Sequence, residues 1–91
     1  MILGKVVGNV WATRKEEALR GLKLLVIKPI DYHSKQPLST FVATDRVGAG
    51  IGDTVLIVTG SSARKTIEVD NAPIDASIVG IVDEVEVDID I

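Results

Sequence analysis

The stretch Asp45 to Arg64, DRVGAGIGDTVLIVTGSSAR, sets the tightest limits on how this chain folds. Three glycines alternate at Gly48, Gly50 and Gly52, the apolar run Val55-Leu56-Ile57-Val58 follows, and Gly60-Ser61-Ser62-Ala63-Arg64 closes the stretch. Such a run serves either to cradle a phosphate or to turn the backbone tightly, and the spacing decides between them. A dinucleotide fingerprint needs G-x-G-x-x-G opening a helix, so that the helix N-terminus faces the pyrophosphate. Here the spacing is G-x-G-x-G, and β-formers follow Asp53 in place of a helix. A Walker-type loop would end in Gly-Lys-Ser/Thr, which is missing. The glycines are therefore expected to make a tight connection between two strands.

The flanking segments extend the β pattern. Ile2–Thr13 is valine-rich with a partial two-residue period: Ile2, Val6, Val10 and Ala12 fall on one face with Gly4 and Gly8, and Leu3, Lys5, Val7, Asn9 and Trp11 on the other. Both β-branched residues and glycines disfavour a helix there. Two glycines four apart on one face suit a strand that curls. Leu22–Ile30 is apolar on both faces apart from Lys23 and Lys28, as expected when one face fills a core and the other meets a partner. Leu38–Thr44, Thr54–Thr59 and Ala76–Val82 are further strands, and Asp70-Asn71-Ala72-Pro73 signals a turn. Thr13 and Glu16 have capping-box spacing, with Gly21 placed to end one short helical turn. Ser61 or Ser62 is expected to cap a second. The segment 84–91 alternates cleanly, with Val85, Val87, Ile89 and Ile91 opposite Glu84, Glu86, Asp88 and Asp90, the pattern of a half-buried strand.

Five strands with regularly placed glycines predict an all-β, small closed five-stranded OB-like β-barrel with one or two short helical turns. It forms a single domain over residues 1–91, of which 84–91 is the acidic tail. A domain of this size buries a modest share of its surface. With no cysteine there is no disulfide to staple it, no thiolate nucleophile and no cysteine-based metal site. Oligomerisation is the remaining source of stability, and a mean hydropathy of +0.32 fits it. The apolar runs are too short to span a bilayer, and a cysteine-free chain without a signal-type segment suits the cytoplasm. A net charge of −3 is concentrated in the tail, and the body has no basic stripe for nucleic acid or an anionic membrane. His33 is the single histidine and has no acid or serine at catalytic spacing, so an enzyme is not expected.

The ordered segments Gly4-Lys5-Val6-Val7-Gly8-Asn9-Val10-Trp11-Ala12-Thr13, Leu19-x-Gly-Leu-Lys-Leu-Leu, Val42 to Asp53, Gly60 to Arg64 and Pro73 to Asp83 together resemble the EutN/CcmL family, the pentameric vertex proteins of bacterial microcompartment shells. The tail after Asp83 is the least family-like part. The resemblance implies a non-enzymatic structural protein without cofactor or metal: an OB-like barrel assembling into a cyclic five-fold ring. Its partners are then itself, as a homo-pentamer, and the hexagonal shell proteins that tile the facets of a carboxysome or metabolosome. Flat hexagonal sheets close only with five-fold positions, so the ring's contribution is curvature.

A cyclic ring needs two different patches per subunit. Gly48, Ala49, Gly50, Ser61, Ser62 and Ala63 are small residues suited to close packing near the subunit interface or pore, with Arg64 and Asp75 as an orienting ion pair. Simple turn chemistry explains the same small residues equally well. The rival function is an OB-type module for single-stranded nucleic acid or a small ligand. That surface needs aromatic platforms in a basic groove, and Trp11, Tyr32 and Phe41 are the only aromatics here.

Overall fold

The computed structural model describes residues 1–12, 17–34, 36, 38–65, 74–88 and 90, with the side chains of residues 18, 64 and 65 outside that description. Five strands form: β1 (Ile2–Asn9), β2 (Lys23–Pro29), β3 (Phe41–Asp45), β4 (Thr54–Thr59) and β5 (Ala76–Val82). They close into a barrel in the order β1-β2-β3-β5-β4, with β4 returning to β1. All pairings are antiparallel except β3 with β5, which run parallel at Thr44–Ser77 and Asp45–Ile78. This is the expected OB-like arrangement. A five-residue helix, α1 (Ser61–Lys65), and one 3-10 turn, Glu17–Leu19, are the helical elements among the described residues.

Alternation along the strands fills the interior. Val6 from β1, Leu25 and Ile27 from β2, Val55 and Ile57 from β4 and Ile78 from β5 are all essentially inaccessible, with Ile2 and Phe41 packed against them. Outside this core, Ala63 and Ile74 form a second cluster with Leu19, Leu22 and Val58. The short α1 helix is held by that cluster, since five residues are too few for a helix to stand alone.

β1 is shared between two neighbours, pairing with β4 through Ile2–Lys5 and with β2 through Gly4–Asn9. Gly4 marks the tightest point of the curl. A Cβ there would overlap Ile27 Cγ2 and lie 3.1 Å from Ile57 Cδ1 and 3.4 Å from the Lys28 carbonyl oxygen. Because branched core side chains have little room to yield, Gly4→Ala is expected to cost about 2–3 kcal/mol of stability. Urea unfolding followed by circular dichroism measures this, and an unchanged midpoint would refute the packing argument.

Three local expectations are corrected. Gly4 and Gly8 do not share one face: Val6 pairs with Ile27 and Gly8 with Val26, so Val7 is an extra residue in a bulge that reverses the parity of the strand beyond it. Ser61 and Ser62 are the first helical residues of α1 and not its cap; Gly60 precedes them and its carbonyl accepts from the Ala63 amide at 3.1 Å. Residues 84–88 form no strand, because β5 ends at Val82 and every barrel strand already has two neighbours. The Thr13–Glu16 capping box and the turn at residues 70–73 lie outside the described residues. Among the described residues, no helix is long and apolar enough to cross a membrane.

Candidate functional site

The glycine-rich connection is fastened at both ends by aspartates. Asp45, at the end of β3, has a side chain only 1% exposed. Its Oδ1 accepts from the Val47 amide at 3.0 Å, and its Oδ2 accepts from the Ala49 amide at 2.8 Å. Lys23 lies directly across the β2–β3 ladder, places Nζ 3.4 Å from Asp45 Oδ2 and donates to the Ala49 carbonyl. An opposite-charge pair facing across two strands is stabilising, and here it also grips the loop. At the other end, Asp53 Oδ2 accepts from the Gly50 amide at 2.9 Å, and the Asp53 amide donates to the Gly50 carbonyl. The loop is finally tied to β1, where the Val6 amide donates to the Asp53 carbonyl and the Gly52 amide to the Val6 carbonyl.

Gly48 and Gly52 have φ of 90° and 98°, backbone conformations that side-chain-bearing residues rarely adopt. Between them Ala49 is 1% exposed and belongs to the barrel core. The amides of Val47, Ala49 and Gly50 are all engaged by carboxylates of the chain itself. The loop therefore holds acids of its own where a phosphate cradle would leave its amides open.

The second group of small residues sits beyond β4. The Gly60 amide donates to the Asp75 carbonyl at 2.8 Å, joining the end of β4 to the start of β5. Ser61, Ser62 and Asp75 are exposed, whereas Ala63 is completely buried under Ile74, Leu19, Leu22 and Val58. A large residue at Ala63 would thus strain this cluster directly. The Arg64 side chain lies outside the described residues, and with it the expected pairing to Asp75. The sequence-expected residues accordingly divide into a loop group, Gly48, Ala49 and Gly50, and a helix group, Ser61 to Arg64 with Asp75.

The surface also presents apolar side chains that sequence reasoning gave no role. Trp11 is 89% exposed and Ile51 is 64% exposed. Together with Val10, Ala12, Leu24 and Gly50 they line one open groove beside the glycine-rich loop. Trp11 follows the end of β1 and Ile51 caps the turn between β3 and β4, so only closure of the barrel brings them together. The signal available in sequence was Trp11 itself, a lone tryptophan beyond the last core position. A separate depression contains Ile2, Phe41, Thr59, Gly60 and Asp75. On the outer barrel face, Val26 pairs with the 44%-exposed Val42, so the apolar reverse side of β2 continues onto β3.

The aromatics do not form a stacking platform. Trp11 follows the Asn9–Leu25 end of the β1–β2 ladder, Tyr32 follows the Gly4–Pro29 end, and Phe41 packs on the core. His33 is exposed; its amide donates to Asp31 Oδ1 at 3.0 Å and its Nε2 lies 3.2 Å from the Asp88 carbonyl.

A closed barrel with an acid-filled loop and apolar groups turned outward has the make-up of an assembly subunit. The chain belongs to the EutN/CcmL family: the model described as ethanolamine utilisation protein EutN/carboxysome matches residues 1–83. The bacterial microcompartment shell vertex protein GrpN of Rhodospirillum rubrum is 49% identical, over 94% of this chain and 97% of that protein. The carboxysome shell vertex protein CcmL of Synechocystis is 46% identical, over 96% of this chain and 87% of that protein. Among solved structures, the pentameric microcompartment shell protein GrpN superposes with a TM-score of 0.83 at 47% identity, covering 96% of this chain and 99% of that one. The structure of CcmL from Gloeobacter violaceus superposes with a TM-score of 0.86 at 41% identity, covering 98% and 92%. These relatives are named as structural shell proteins and not as enzymes, and they lend no support to a nucleic-acid-binding or ligand-binding module.

Proposed function

We propose that this protein forms a cyclic pentamer that caps the vertices of a cytoplasmic bacterial microcompartment shell and closes it around encapsulated enzymes. The observation that carries the assembly is the outward-facing Trp11 and Ile51, on a chain whose nearly full-length relative GrpN is a pentameric shell protein. An exposed patch of this kind marks a contact with another chain. In a ring the contact is heterologous, one patch meeting a different patch of the next subunit. The Trp11–Ile51 groove with Gly48 and Gly50 supplies one patch. The exposed Ser61, Ser62 and Asp75 beside the Phe41 depression supply the other, and Arg64 is assigned to it as the ion-pair partner of Asp75. Ala49 supports the first patch from the barrel core, and Ala63 supports the second from the cluster beneath α1.

The mechanism is geometric. Hexagonal subunits tile a plane, and replacing a six-fold position by a five-fold one removes a wedge and forces curvature. Two measurements test this. Native mass spectrometry is expected to give five times the 9.7 kDa of one chain. Co-expression with a hexagonal shell protein is expected to yield closed polyhedra only when this chain is present. Identical particles with and without it would remove the vertex role.

A further inference from the structure

Lys5 and Lys28 stand directly opposite each other across the β1–β2 ladder, and both are exposed. Like charges in that position repel. Among the described residues neither has an ion-pair partner, since the bridges found there join Arg20 to Glu17 and Lys23 to Asp45. The two lysines border a groove that also contains Pro29, Ile30 and Leu38, the last 42% exposed. Among its described lining residues the one acid, Asp31, accepts the amide of His33. The groove thus offers two uncompensated cations beside apolar side chains.

The complementary chemistry lies in the acidic tail. Glu84, Glu86 and Asp88 alternate with Val85 and Val87, and no base occurs among the last nine residues. On its own chain the tail touches the β2–β3 loop through the Asp88 carbonyl and His33. Val87 stays 37% exposed, and among the described residues no tail carboxylate enters an ion pair.

We propose that residues 84–88 of one copy lie in the Lys5–Lys28 groove of a second copy, as a latch between neighbouring chains. A segment alternating with period two presents carboxylates to one side and valines to the other. The carboxylates meet the two ammonium groups and the valines cover Ile30 and Leu38. The tail lies beyond the residues matched by the family model. It rests on the ring reading, because a neighbouring copy must be present to hold the tail.

The test is carbodiimide cross-linking of rings assembled from equal amounts of unlabelled and heavy-isotope-labelled chains, with ring mass checked by native mass spectrometry. Peptides joining Lys5 or Lys28 to the tail are expected in mixed-isotope form. Only same-isotope pairs would place the tail on its own chain and overturn the latch. An intact five-membered ring without these cross-links would overturn it and leave the ring standing; absence of a ring would overturn both. As a second arm, the double variant Lys5→Glu/Lys28→Glu is expected to raise the half-dissociation concentration at low salt by roughly tenfold. Adding Glu84→Lys and Glu86→Lys to the same chain is expected to restore it. No change on the first reversal, or no recovery on the second, contradicts the latch.

Discussion

Trp11→Ala and Ile51→Lys are each expected to leave single 9.7 kDa chains where the unmodified protein forms a ring. Trp11 exposes 89% of its surface on the isolated chain, so covering it supplies a large part of the contact energy. Truncating a central interface tryptophan typically costs about 2–4 kcal/mol. In a closed ring that loss recurs at every contact. Ile51→Lys acts differently, replacing an apolar contact by a charge whose desolvation opposes assembly. Both side chains lie outside the core, so each variant should keep the stability of the isolated barrel to within about 0.5 kcal/mol. Native mass spectrometry at micromolar concentration and far-ultraviolet circular dichroism are read together. Monomers with an intact β spectrum are the expected result; rings that survive both substitutions would rule this groove out as the contact.

Asp45→Ala should damage the fold itself. The carboxylate accepts two loop amides and faces Lys23 while only 1% exposed. Its removal strands the buried Ala49 amide and leaves the half-buried Lys23 ammonium with only the Ala49 carbonyl. Leaving a buried hydrogen-bonding group unpaired in this way costs about 1–3 kcal/mol. That is a large part of the total for a small domain. Asp45→Asn retains an acceptor and should cost less than half as much. Urea unfolding at one fixed protein concentration gives both values, the fixed concentration being necessary because assembly adds to apparent stability. If alanine and asparagine proved equally mild, the carboxylate would not be the fastening of the loop.

These two predictions separate the roles of adjacent residues in one loop. Asp45 points inward and fixes the loop; Ile51, six residues later, points outward from it. Nothing in the local sequence distinguishes a fastening acid from a solvated one. The partners of Asp45 lie 2 and 4 residues ahead, which is readable as turn chemistry. Lys23 is remote in sequence and becomes a partner only through the β2–β3 register. The same holds for Lys5 and Lys28: each reads as an ordinary surface lysine, and only their pairing across β1 and β2 creates a like-charge site.

Strand positions were legible because two-residue alternation is a local property, set by backbone geometry. Leu25 and Ile27 fill the core from one face of β2 while Val26 lies on the other, the two-faced arrangement expected for Leu22–Ile30. The parity of β1 beyond Val6 was not legible. A bulge inserts one residue without a compositional mark, and its cost is met by curvature that belongs to the closed barrel. The acidic tail misled for a related reason. Its alternation is that of a half-buried strand, but a strand also requires a free edge, and the availability of an edge is a property of all five strands together.

By itself, the sequence determined that this chain is a cysteine-free, all-β barrel with a turning glycine loop, and its ordered motifs pointed to the EutN/CcmL family. Those are matters of residue type and spacing, which act locally or recur in fixed order. The tertiary structure alone decided which small residues are buried, Ala49 and Ala63, and which outward groups come together, Trp11 with Ile51 and Lys5 with Lys28. Closure of the barrel joins strands far apart in the chain, and surface chemistry is set by that juxtaposition.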